Sequence, residues 1–89
     1  MAALVLRIKF PNTYPLIYKT LRIDANLTVS ESINYIAETV NVTNLLTGSE
    51  GLYEPDEGWL DDNVPLSDYE SLQDVVCYLD TAYNRNMWS

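Results

Sequence analysis

Few side chains in this 89-residue sequence could do chemistry, and most of them are carboxylates. There are 13 Asp and Glu residues, five Lys and Arg, one cysteine and no histidine. Without histidine the chain lacks the side chain that most often moves protons near neutral pH, which is also the commonest metal ligand. Cys77 has no second cysteine to pair with, and its place between Val76 and Tyr78 in an apolar run reads as a small core residue. Asp61 and Asp62 are neighbours in a turn, with no base, nucleophile or pocket implied. The acidic turn "EPDEG" with the "LDD" after it lacks the D-x-[DN]-x-[DN]-G-x5-E register of a calcium loop, so a solvated turn is expected. The reading is of a protein that is not an enzyme, with no metal and no cofactor.

What the charges do show is polarity. Residues 1–23 hold Arg7, Lys9, Lys19 and Arg22 and no acid; residues 24–89 hold all 13 carboxylates and only Arg85. The first stretch is therefore +4 and the second −12, for a net −8. Such an asymmetry steers an acidic partner toward the first stretch and repels it elsewhere, an effect that fades as salt shortens the Debye length. The same acidity speaks against nucleic acid or an anionic membrane as direct ligands, since both require many basic contacts.

The opening "MAALVLRIKF" is too short for a membrane span, is interrupted by Arg7 and Lys9, and lacks the order of a signal peptide. A cytoplasmic protein without direct membrane insertion is expected. In that setting the sequons at Asn26 and Asn41 are capping and turn residues.

These groups must be positioned by elements that the apolar pattern marks out. Leu4, Leu6, Ile8 and Phe10 alternate with Val5, Arg7 and Lys9, the period of a strand with one buried face. "PNTYP" is a turn, and "LIYKTLRI" is a second strand with Leu21 and Ile23 inward and Thr20 and Arg22 outward, giving an antiparallel hairpin. Val29, Ile33, Ile36, Ala37 and Val40 share one helical face, and Thr28 with Glu31 forms a capping box, so a helix is expected from about Val29 to Thr39. Two short strands around Leu52–Tyr53 and Trp59–Leu60 follow, and "DVVCYL" reads as a buried central strand. The expected fold is α+β: a mixed sheet with one helix packed across it. A chain of 89 residues has room for one such core.

That element order is the order of a ubiquitin-like β-grasp, and "PLSDYESLQDVVCYL" resembles the L-S-D-Y segment and last strand of ubiquitin. The chain ends "NMWS" and lacks a terminal Gly-Gly, so conjugation is not expected. More of the chain resembles the ubiquitin-like subdomain that opens the talin head. "MAALVLRIKF" is similar to that family's M-x-A-L-x-L-K-I opening, and Lys19 and Thr20 before Leu21 to its K-T-M strand. "GLYEPDEGWLDD" is similar to its G-L-F strand, acidic turn and G-x-W-L hairpin, and "PLSDYESLQDVVCYL" to its L-x-x-Y and closing D-x-x-x-Y.

In the talin and kindlin families this subdomain is an interaction module, and the resemblance implies binding of a GTP-loaded Rap- or Ras-type GTPase, with recruitment of the parent to the plasma membrane or to adhesion sites. It implies contacts from Lys19, Arg22, Tyr18 and Thr20 on the second strand, and from Asn34 and Tyr35 as neutral donors on a helix that has Asn34 and Thr39 where the family has basic residues, with Glu31 and Glu38 nearby.

Other readings stand beside it. Lys19 and Arg22 also fit ordinary edge-strand charges that prevent edge-to-edge pairing. Alternation with Leu21 points Lys19 inward, so a twist or bulge is expected there, while Arg7 and Lys9 read as solvated residues of an interior strand. Trp59 is read as core or as a hairpin platform. The domain is expected over 1–80, with 81–89 as a tail or the start of a connection in which Trp88, with Tyr83 and Met87, either packs on a following domain or is unordered. A purely structural lobe beside neighbouring FERM lobes, and a Ras-binding domain of an unrelated signalling protein, are the alternatives.

Overall fold

The computed structural model describes residues 3–81. The expected tail, including Tyr83, Arg85, Met87 and Trp88, lies outside the described residues. Five strands form one sheet in the order β2-β1-β5-β3-β4: β1 Ala3–Lys9, β2 Tyr18–Asp24, β3 Gly51–Glu54, β4 Gly58–Trp59 and β5 Val75–Asp80. Among the described residues a single α-helix, α1, runs from Val29 to Thr39, and short 3-10 turns lie at Thr43–Leu45 and Leu66–Asp68. β1 pairs with β2 antiparallel and with β5 parallel. This mixed sheet with one helix packed across it is the ubiquitin-like β-grasp.

The hairpin forms because its alternation is unbroken. Seven consecutive pairs run from Ala3↔Asp24 to Lys9↔Tyr18, so Leu4, Leu6 and Ile8 share a face with Ile23, Leu21 and Lys19. Leu6, Ile8 and Ile23 are fully buried there. Val5 donates its N–H to the Gln73 side-chain oxygen at 3.0 Å, and the Val5 carbonyl accepts from the N–H of Asp74 at 2.8 Å. Asp74, with a positive φ of 58°, turns the chain so that β5 enters beside β1.

The helix begins at the expected capping box. The Glu31 N–H donates to Thr28 Oγ1 at 3.1 Å, and the Thr28 N–H donates to Glu31 Oε1 at 2.9 Å. Further free donors of the first turn find loop carbonyls: the Val29 N–H donates to Val64 and the Ser30 N–H to Asp62. At the other end Asn41 takes φ 63°, its N–H donates to the Glu38 carbonyl, and the Val42 N–H donates to the Ala37 carbonyl. This left-handed cap stops the helix. Val29, Ile33, Ile36 and Ala37 are buried as the spacing requires. Val40, placed on the same face by periodicity, is the C-cap and only half-buried. Ser32 is buried as well, and its hydroxyl donates to the Val29 carbonyl at 2.7 Å.

β5 is central, as the sequence implies, but it is buried on one face. Cys77 and Leu79 point into the core while Val76, 36% exposed, points out. The reason is topological: among the described residues there is one helix, and it covers one side of the sheet. The Cys77 thiol is free and buried, and its pKa is pushed up to about 12, first by burial and second by the negative charge of Glu54.

Candidate functional site

β2 has a neighbour on one side only. Its other edge carries backbone N–H and C=O groups that no strand among the described residues takes up, a template for pairing with another chain. The residues along it are open to solvent: Ile17 is 74% and Tyr18 65% exposed, and Lys19, Thr20 and Arg22 are exposed too. Leu21 and Ile23, alternating with them, anchor the strand in the core.

The ladder register decides which charges act together. Thr20 stands opposite Arg7, Arg22 opposite Val5, and Tyr18 opposite Lys9. Opposite residues of an antiparallel pair share a face and lie about 4.5–5.5 Å apart at Cα. Tyr18, Thr20 and Arg22 therefore form one patch with Arg7 and Lys9 on the face turned away from the helix. Lys19 lies on the other face, opposite the buried Ile8. No bulge is needed to expose it, contrary to the expectation from Leu21. Seven pairs run in unbroken register, and Lys19 reaches solvent at the end of the strand, one residue beyond the exposed start at Tyr18. Three of the hairpin's cations thus lie on one side of the β2 edge and the fourth on the other.

The two helix candidates are positioned differently. Asn34 and Tyr35 are both exposed. Asn34 lines a cleft of about 130 Å³ with Ser30, Ile33, Leu46, Gly48 and Glu50, on the approach to β3. The helix lies across the inner face, so Asn34 and Tyr35 are on the side of the sheet opposite Tyr18, Thr20 and Arg22. The six candidate residues form two groups divided by the sheet, with Lys19 on the helix side.

Pattern reading missed what happens on the outer face. Tyr18, Lys9, Tyr78, Tyr53 and Trp59 come one from each strand and are lateral partners across the whole sheet. Tyr53 meets Trp59 edge-on at 5.2 Å between ring centroids and Tyr78 at 6.3 Å. Lys9 Nζ sits 5.8 Å from the Tyr78 ring centroid. The available signal was period two: each of these residues occupies an outward position of its strand. Trp59 is the hairpin platform its position suggested, half-buried against Tyr53.

The carboxylates of the second half organise turns. Glu54, 3% exposed, accepts from the N–H groups of Asp56 at 3.0 Å and Glu57 at 2.8 Å. Glu50, 7% exposed, accepts from the N–H groups of Thr47 and Gly48. Asp61 Oδ1 accepts from the Asn63 N–H, and Glu57 Oε2 from the Ser71 hydroxyl at 2.6 Å. Among the described residues no three His, Cys, Asp or Glu side chains converge as a metal site, and no helix is long and apolar enough to cross a membrane.

No protein-family model matches the chain, and no curated protein matches it. The fold itself is found among solved structures. One described as "Molecular Mimicry of SUMO promotes DNA repair" superposes with a TM-score of 0.71 at 18% identity, over 88% of this chain and 90% of that one. At that identity the likeness is one of fold alone, a ubiquitin-like β-grasp.

Proposed function

We propose that the chain is a non-catalytic interaction module that binds a GTP-loaded Rap- or Ras-type small GTPase through the β2 edge, and so helps bring a talin-like adhesion or cytoskeletal parent to the membrane. The observation that carries this reading is the open edge of β2, with exposed Lys19 and Arg22 and with Arg7 beside Thr20. An acidic partner that offers a strand adds a sixth strand to the sheet, with backbone hydrogen bonds supplying affinity and the flanking charges supplying orientation. The talin-like motifs quoted above support a GTPase as that partner. In this geometry Tyr18, Thr20 and Arg22 face the partner from the outer side and Lys19 from the helix side. Asn34 and Tyr35 take part only with a partner that also reaches over α1. The module is residues 1–80, with 81–89 as a tail or the start of a connection to a following domain.

The test is a titration of the domain, followed by backbone amide NMR at low salt, with the GTPase carrying a non-hydrolysable GTP analogue or GDP. The expected result is shifts confined to the GTP-like state and clustered at residues 17–23, abolished by Lys19→Glu with Arg22→Glu. An unmoved spectrum for Rap-type and Ras-type proteins alike sinks the reading. The outer-face row of Tyr78, Tyr53 and Trp59 favours a second reading, a structural lobe that packs this face on a neighbouring lobe and binds no GTPase. Its signature is a spectrum insensitive to the GTPase but shifted at residues 53, 59 and 78 when the neighbouring lobe is added.

A further inference from the structure

The hydrogen bonds around β1 decide which backbone groups of β2 face outward. The Phe10 N–H donates to the Ile17 carbonyl at 2.8 Å, and this pair continues the hairpin register one step beyond Lys9↔Tyr18. Antiparallel pairs alternate between hydrogen-bonded and non-hydrogen-bonded, so Lys19, Leu21 and Ile23 direct their backbone groups to β1. Val5 agrees from the other strand. It stands opposite Arg22, yet its N–H goes to the Gln73 side chain and its carbonyl to the Asp74 N–H, both on the β5 side. The N–H and C=O groups of Tyr18, Thr20 and Arg22 therefore point away from β1, out of the open edge.

These same three residues carry their side chains on the outer face. A strand laid along the edge bonds to their backbone about 4.8 Å away, and its residues opposite them turn their side chains to that face too. The surface they meet there is basic: Arg7 stands directly across Thr20, Arg22 is two residues along, and all three are exposed. Asp24, the next outward residue, ends the basic run, and its Oδ1 accepts from the Asn26 N–H at 2.9 Å. The partner residue between the two outward ones turns to the helix side, beside the buried Leu21. Lys19 is the only cation of β2 on that side.

We propose that the β2 edge selects a strand by the spacing of its acids: carboxylates at positions i and i+2, beside Thr20 and Arg22, with an apolar residue between them. Arg22 meets the acids from β2 itself. Arg7 meets them from β1, two strand spacings or about 10 Å from the added backbone, a gap that a guanidinium and a carboxylate side chain close from opposite sides. Lys19, on the far face, attracts acidic strands in general and does not read the spacing. The proposal rests on strand addition at the β2 edge, as in the function proposed above, but not on the partner being a GTPase.

The experiment titrates the 89-residue chain at low salt, followed by amide NMR, with the capped peptide Thr-Val-Glu-Val-Glu-Val-Thr and with its isomer Thr-Val-Val-Glu-Glu-Val-Thr, equal in charge and composition. The expected result is slowed hydrogen exchange at Tyr18, Thr20 and Arg22 with the alternating peptide. The isomer binds about threefold more weakly, the loss of one exposed ion pair. Arg7→Gln with Arg22→Gln removes that difference, whereas Lys19→Gln weakens both peptides alike and keeps it. Equal affinity of the two peptides, no shifts with either, or a difference that survives Arg7→Gln with Arg22→Gln overturns the proposal. The GTPase reading is judged separately. A spectrum unmoved by both GTPases beside selective peptide binding sinks that reading alone, and GTPase binding beside indifference to the isomers overturns the spacing rule alone.

Discussion

The hairpin of β1 and β2 and the acidic stretch from Glu50 to Asp80 use charge in opposite ways. In the hairpin, Arg7, Lys19 and Arg22 project from a regular ladder whose own hydrogen bonds are made by backbone alone. The ladder needs none of these side chains, so their charges are available to a partner. In the acidic stretch the strands are short, four and two residues for β3 and β4, and the chain must turn repeatedly. Glu50, Glu54 and Asp61 there accept backbone N–H groups of the turns they precede or close. The net charge of −12 on residues 24–89 thus overstates the repulsive surface of that half, since part of it is spent inside turns. The lesson is that the basic side chains project from a long ladder that does not use them, whereas the acidic ones among short strands hold turns.

The sharpest way to break this contrast is to remove a charge from each region and compare stabilities. Glu54→Ala leaves the Asp56 and Glu57 N–H groups without their carboxylate acceptor and is expected to cost about 2 kcal/mol in urea unfolding, the range for a hydrogen bond to a charged group. A loss below about 0.5 kcal/mol would show that water replaces the carboxylate and that Glu54 is surface charge after all.

Cys77 sits where the two regions join, paired with Ile8 of β1 and sensing Glu54 from β3. Its folded pKa, raised from 9.0 to about 12, makes stability fall as pH rises above 9. In that window the unfolded chain releases the thiol proton while the folded chain retains it. The loss is about 1.4 kcal/mol per pH unit, with a further contribution of the same sign from Tyr14, whose pKa is also raised. Urea midpoints at about pH 8 and about pH 10.5, measured for the parent and for Cys77→Ala, isolate the thiol part. A slope unchanged by the substitution would remove Cys77 as its source.

The smallest expected effect is the most telling. Lys19→Glu with Arg22→Glu should leave stability within about 0.5 kcal/mol, as for exposed sites away from special features, while abolishing partner binding. If the double reversal unfolds the domain by 2 kcal/mol or more, the hairpin charges are structural and the contrast collapses.

Much of the fold was legible locally. The alternation from Leu4 to Phe10, the Thr28 and Glu31 capping box and the helical spacing from Val29 are short-range patterns, set by the periods of strand and helix and by the free N–H groups of a first turn. They placed the helix at Val29–Thr39, where it is found. The polarity between the two halves needed only counting. Lateral arrangement was not legible, because it depends on which strands become neighbours across long stretches of chain. The parallel pairing of β1 with β5 joins residues some seventy positions apart. Only that pairing sets Tyr78 beside Lys9, the antiparallel pairing of β3 with β5 sets it beside Tyr53, and together they leave Val76 outside a core that one helix can cover. Register likewise divided the six candidate contacts between the two faces of the sheet and exposed Lys19 without a bulge. The sequence by itself determined which elements form and where charge accumulates, since both follow from neighbouring residues; the tertiary structure alone decided which charges share a face, because a face is made by strands that only folding brings together.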